Sequence, residues 1–90
     1  MFEVGRIVAT PGAVELIERV RDSNFLFLSL LLRHRKLEQG LLCDEDHKAN
    51  KEAVKEGERI LSAFPVQDSK VWIITEADRS VTTFLLPEEY

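Results

Sequence analysis

An α+β fold is predicted by three features of the chain. Residues 71–90 hold two runs rich in β-branched and aromatic side chains, supplied by Trp72, Ile73, Ile74, Val81, Phe84, Leu85 and Leu86. The stretch between them, Glu76-Ala77-Asp78-Arg79-Ser80, offers turn formers and charge, which suits the connection of two strands. Upstream, apolar residues recur at helical spacing in three successive segments, so helices precede the strands instead of alternating with them.

Each element follows in order. Val4, Ile7 and Val8 predict a short strand over residues 2–9. Thr10-Pro11-Gly12 reads as a helix start, because Thr10 can cap and Pro11 lacks only an N–H that the first turn leaves unbonded anyway. Val14, Ile17 and Val20 then mark one face of an amphipathic helix over 11–21, and Asp22-Ser23-Asn24 ends it. A second helix over 25–36 is apolar around most of its circumference, with Ser29, Arg33 and Lys36 on one narrow polar stripe. Such a helix is either central or packed against a partner.

A loop around Gly40 leads to Asp44-Glu45-Asp46, whose negative charge suits the start of a third helix running to Gly57. Ala49, Ala53 and Val54 give that helix a thin apolar face, and Asn50 lies on the same side. A mid-helix amide there must find hydrogen-bond partners, which predicts a structural tie to a neighbouring loop. Strands follow over 59–64, 71–75 and 80–86, with 65–70 as a polar connection. The expected whole is a single domain over 1–90: a short N-terminal strand and three helices packed on a C-terminal antiparallel meander of three to four strands.

With 90 residues, 44% of them hydrophobic and 31% charged, the chain has the composition of an ordinary globular domain and is unlike a disordered segment. Its longest apolar run, residues 25–32, is interrupted by Ser29 and falls short of the roughly 20 residues that span a bilayer. No signal-peptide pattern opens the sequence, and the single cysteine, Cys43, excludes an internal disulfide. The expected compartment is the cytoplasm, with no membrane partner. The net charge of -4 is concentrated in residues 71–90, which hold one Lys/Arg against four Asp/Glu. Binding that rests on phosphate neutralisation is therefore disfavoured.

Four groups of residues carry candidate chemistry. Glu76, Asp78, Arg79, Ser80 and Thr82 form an ionic, hydroxyl-rich segment that serves either as a partner contact or as a solvated hairpin turn. Arg33-His34-Arg35-Lys36 is the only basic cluster, and it reads either as a phosphate contact or as cations complementing the dipole at a helix C-terminus. Cys43 and His47, with His34 elsewhere in the chain, are too few for a structural zinc site, which draws on paired ligands such as C-x-x-C. A Cys43 nucleophile with a histidine base lacks a third orienting residue. No glycine-rich phosphate loop, no Gly-x-Ser-x-Gly and no calcium loop occurs. No cofactor, metal ligand or catalytic residue is assigned.

The segments Ala9-Thr10-Pro11-Gly12-Ala13, Leu31-Leu32-Arg33-His34, Asp44-Glu45-Asp46 with Ala49-Asn50, residues 57–63, residues 72–83 and the terminal Leu86-Pro87-Glu88-Glu89-Tyr90 resemble a family of small bacterial proteins often labelled "plasmid-related protein". The resemblance covers nearly the whole chain. It departs after the Arg-His pair, where family members carry a Gly-Asp-Trp-Gly-like turn and this chain has Arg35-Lys36-Leu37-Glu38-Gln39-Gly40. What it implies is carriage on plasmids, phages or integrated elements, with no attached activity or cofactor.

The functional expectation is a small non-enzymatic protein-interaction module that modulates a host defence or replication protein. Glu76, Asp78, Arg79, Ser80, Thr82, Arg33 and His34 are its candidate contacts. A homodimer contact through the apolar second helix is a further partner expectation. The alternatives are a RelE/ParE-like ribonuclease toxin, suggested by the order of elements alone, and a nucleic-acid-binding regulator using residues 33–36.

Overall fold

Strand β1, Arg6–Ala9, begins four residues later than the apolar pattern suggests, because Gly5 breaks the extended run with a φ of 62°. A side chain at position 5 would collide with the Ser80 carbonyl oxygen, so only glycine lets the chain pass there. In a computed structural model, which describes residues 2–90, the order continues with helices α1 (Pro11–Glu18), α2 (Ser23–Arg35) and α3 (Asp44–Glu56). Strands β2 (Ile60–Val66), β3 (Ser69–Thr75) and β4 (Val81–Leu85) follow, and a 3-10 turn over Pro87–Glu89 closes the chain. The fold is α+β. No described helix is long and apolar enough to cross a membrane.

Helix boundaries follow local chemistry. The Thr10 side chain accepts a hydrogen bond from the Ala13 N–H at 3.2 Å, the capping contact its position predicts. Asp22, in the left-handed region at φ 59°, separates α1 from α2 and lets α2 start two residues before the expected Phe25. Cys43 caps α3 through its sulfur, which accepts from the Asp46 N–H at 3.5 Å, and Gly57 ends that helix at φ 70°.

The sheet has the order β1-β4-β3-β2. Strands β2, β3 and β4 form the expected antiparallel meander, but β1 joins β4 in parallel, with Ile7 beside Thr82 and Ala9 beside Phe84. The sheet is therefore mixed, which corrects the purely antiparallel expectation. A period-two pattern fixes which face a strand buries and leaves the direction of its neighbour open.

The supposed connection over 65–70 is also mostly strand. β2 runs on through Pro65 to Val66 and turns back at Gln67-Asp68, with Gln67 at φ 55°. Pro65 is tolerated because β2 is an edge strand, where a missing N–H breaks no ladder bond.

One face of the sheet carries the core. Phe64, Val66, Val71, Ile73 and Phe84 pack against Ala13, Leu16 and Ile17 of α1 and Leu30 of α2. Burying each of the largest of these side chains contributes about 1.5–3 kcal/mol. A smaller cluster of Phe2, Ala53 and Ile60 fastens α3 and the N-terminal segment to the end of β2.

Candidate functional site

The charged turn after β3 is built inward. Arg79 sits at φ 62° and sends its guanidinium over the C-terminal end of α3. There Nη1 donates to the carbonyl oxygens of Glu58 (2.7 Å), Glu76 (3.1 Å) and Ala77 (3.2 Å), while Nη2 donates to Ala53 (3.1 Å). A helix C-terminus exposes carbonyls with no intrahelical partner, and a planar fork of five donors suits that array. Asp78 Oδ1 accepts from the Ser80 hydroxyl (2.6 Å) and the Ser80 N–H (3.0 Å). The Ser80 hydroxyl above all holds the Asp78 carboxyl below its ordinary pKa. Glu76 pairs with Arg59 at 3.3 Å, and Arg59 donates to the Tyr90 hydroxyl at 2.7 Å.

Thr82 lies elsewhere. With no exposed surface, it ends a buried chain of side-chain hydrogen bonds that also contains His34. The Ser62 hydroxyl meets His34 Nδ1 at 2.6 Å, His34 Nε2 meets the Thr75 hydroxyl at 2.8 Å, and Thr75 meets Thr82 at 2.6 Å. Thr82 Oγ1 donates to the Val4 carbonyl at 2.7 Å.

That last bond fixes the direction of all the others. Thr82 has one proton and gives it to a carbonyl, so Thr75 must donate to Thr82. Thr75 then accepts from His34 Nε2–H, and Nδ1 is left to accept from Ser62. His34 is thus a neutral Nε2–H tautomer. Its burial agrees, since desolvation lowers its pKa to about 4. Phe2 closes the site with a ring at 87° to the imidazole, centroids 5.2 Å apart.

A Ser–His hydrogen bond is also the starting geometry of a nucleophile and its base. Here Ser62, His34, Thr75 and Thr82 all have zero exposure, and a threonine occupies the place of an orienting acid. No buried side-chain polar atom among the described residues lacks a partner. Among the described residues the chain is a closed set of hydrogen bonds whose members are all buried.

The basic cluster does not assemble, because successive helical residues point about 100° apart. Arg33 stacks on the Phe64 ring at 4.5 Å and pairs with Glu38 at 3.0 Å. His34 points into the core, Arg35 donates to the Phe2 carbonyl at 3.2 Å, and Lys36 is exposed. Of the seven candidate contacts, Glu76, Asp78, Arg79 and Ser80 share one turn, Arg33 lies on α2, and His34 and Thr82 are interior. Cys43 is exposed at its cap and His47 Nε2 donates to the Leu37 carbonyl at 2.8 Å. The described residues hold no group of three metal-ligating side chains.

Sequence reasoning offers the apolar second helix as a partner contact without marking which of its sides faces outward. Phe25, Leu28 and Leu32 are 63%, 68% and 45% exposed. With Ser29, Arg33, Lys36 and Glu38 they line one shallow groove. The expected polar stripe exists only as a border of this apolar surface. The spacing i, i+3, i+7 marks the face in the sequence, but the pattern does not say which side of an almost wholly apolar helix meets the sheet.

Compared with known proteins, the chain matches no family model, no curated sequence and no solved structure.

Proposed function

We propose that the protein works by binding another protein through the outward face of α2, as a small module carried by a mobile genetic element. The observation that carries this is the exposure of Phe25, Leu28 and Leu32 side by side on one helix. Large apolar side chains exposed singly are ordinary, whereas a contiguous patch with a polar rim marks an interaction surface. Lys36 borders the groove as an exposed cation, beside the Arg33–Glu38 ion pair. The partner that fits is an amphipathic segment with apolar anchors and an acidic residue placed to meet Lys36.

The charged turn supports this division of labour, since both terminal nitrogens of Arg79 and one carboxylate oxygen of Asp78 are engaged by the turn itself and by α3. The mobile-element context comes from the sequence resemblance, and a host defence or replication protein is the class of target it suggests.

The test is capture of tagged protein from host lysate, with and without nuclease, comparing wild type with Phe25→Glu/Leu32→Glu and with Asp78→Ala. A nuclease-resistant partner that binds wild type and Asp78→Ala but not the α2 variant is expected. Capture that survives the α2 substitutions, or that nuclease abolishes, overturns the proposal and returns attention to the charged turn or to Arg33 and Lys36.

A further inference from the structure

The two edges of the sheet are treated differently. An edge strand presents unpaired N–H and C=O groups to any other strand, so proteins block edges they do not use. On β2 the outward groups belong to Leu61, Ala63 and Pro65. The Asn50 amide takes both the Leu61 N–H (3.2 Å) and the Leu61 C=O (2.6 Å). The Leu41 N–H takes the Ala63 C=O at 2.8 Å, and Pro65 has no N–H to offer. Three separate devices thus take up or remove four of the six outward groups on this edge.

The β1 edge has none of them. The Arg6 N–H donates to Ser80 and the Thr10 N–H to Phe84, so Arg6, Val8 and Thr10 turn their backbone groups toward β4. Ile7 and Ala9 therefore turn theirs outward. Beside them, on the helix side of the sheet, Ile7 (42% exposed) and Leu28 join Leu31 and Phe27 in an apolar shelf along the open strand.

We propose that β1 pairs antiparallel with β1 of a second copy of this chain, about a two-fold axis at Val8. In that register Ile7 of one copy faces Ala9 of the other as a hydrogen-bonded pair. Each of the two symmetric pairs exchanges both N–H···O bonds, so all four outward N–H groups and all four outward C=O groups are used. Val8 meets Val8 as the close, non-hydrogen-bonded pair, which suits β-branched side chains. Two four-stranded sheets become one continuous eight-stranded sheet.

Charge favours a second copy over an unrelated strand. Arg6 makes no ion pair or side-chain hydrogen bond among the described residues. The pairing sets it across from Thr10 of the other copy, whose hydroxyl holds the Glu89 carboxylate. Each end of the new strand pair then brings a guanidinium to a carboxylate. A stable interface buries about 800 Å² per partner, more than four strand residues supply, so the shelf at Leu28 and Leu31 must also close against its mate. This edge meets the Phe25 and Leu32 groove at Leu28, which lines both, but the dimer rests on the β1 backbone and not on the function proposed for that groove.

Sedimentation velocity over micromolar to millimolar protein tests the association, and amide hydrogen exchange over the same range locates it. A concentration-dependent dimer is expected, with slower exchange at the Ile7 and Ala9 amides as it forms. Ala9→Pro removes only an outward N–H, one per copy, and is expected to weaken the dimer about tenfold or more. Leu28→Glu alters an exposed residue, so it tests the shelf while leaving the monomer folded. A monomer at every concentration overturns the proposal. So does a dimer whose Ile7 and Ala9 amides exchange as in the monomer, or a strand edge that only a different protein protects.

Discussion

Lowering the pH through the window from about 6.5 to 4 should destabilise the fold by way of His34. Both ring nitrogens are engaged, Nδ1 as acceptor from Ser62 and Nε2 as donor to Thr75. A proton on Nδ1 would reverse the Ser62 bond, turning that hydroxyl's proton away from the ring, and place a charge where burial has removed water. The folded pKa is about 4 against an ordinary value of 6.5. Within that window the unfolded chain binds more protons than the native one, so stability falls as pH falls. The penalty is absent above pH 6.5, grows by about 1.4 kcal/mol per unit, and levels off below pH 4 at about 3 kcal/mol.

For a domain of this size that is a large share of a total of roughly 5–13 kcal/mol. It corresponds to a fall of roughly 12–24 °C in Tm. Asp78 and Glu89, both with lowered pKa through hydrogen bonds to Ser80 and Thr10, act in the same direction but at the lower pH where carboxylates titrate. Urea unfolding followed by Trp72 fluorescence at a series of pH values measures the slope. His34→Gln keeps an acceptor and a donor without a titrating group, so it should flatten the curve between pH 6.5 and 4. Equal slopes for the two proteins would refute the reasoning, as would an imidazole nitrogen spectrum showing the Nδ1–H tautomer.

Two further predictions concern the backbone ties. Asn50→Ala leaves the Leu61 N–H and C=O without their partner and should cost about 2–4 kcal/mol in urea unfolding; a loss within experimental error would mean water replaces the amide freely. Arg79→Gly and Arg79→Ala both lose the carbonyl contacts at the end of α3, and both should unfold at lower urea than wild type. The glycine variant should nevertheless be about 1 kcal/mol more stable than the alanine variant, because only alanine bears the left-handed penalty at φ 62°. The opposite order would show that the turn rearranges once the guanidinium is gone.

Much of the architecture is legible in local chemistry. Thr10-Pro11 and Asp44-Glu45-Asp46 mark helix starts, Gly57 marks a helix end, and Asn50 on an apolar face announces a tie, though its partner is strand β2 and not a loop. The parallel placement of β1 is not legible, because alternation along a strand carries no information about its neighbour's direction. Pro65 conceals the second half of β2 for a related reason: its place at an edge becomes visible only once the strand order is known.

His34 shows how a site can be half legible. Its neighbours Arg33, Arg35 and Lys36 invite grouping by sequence, yet on a helix it shares the inward face with Leu30. A signal was present in the strands. Ser62, Thr75 and Thr82 occupy core-facing positions among Ile60, Phe64, Ile73 and Phe84, and three hydroxyls on one buried face require a shared partner. A histidine on the covering helix is the side chain that can both give and accept there.

The residues that look most functional in the sequence turn out to satisfy irregular backbone or one another. Arg79 closes the end of α3, Asp78 and Ser80 close their own turn, and His34 joins three strand hydroxyls. A charged or hydroxylic side chain already holding good partners has little left to offer a ligand, since a new contact must first displace an existing hydrogen bond. Among the described residues, the apolar crest of α2, the open edge of β1 and Arg6 beside it have no such partners. These surfaces suit association, and their arrangement separates two modes of it. The strand edge is self-complementary about Val8, whereas the Phe25 and Leu32 groove is an apolar helix face with Arg33, Lys36 and Glu38 on its rim. A symmetric dimer built on β1 would share Leu28 between its seam and the groove and leave Phe25 and Leu32 of each copy as the two faces offered to a target. A bivalent partner would then be held with an avidity beyond either contact alone.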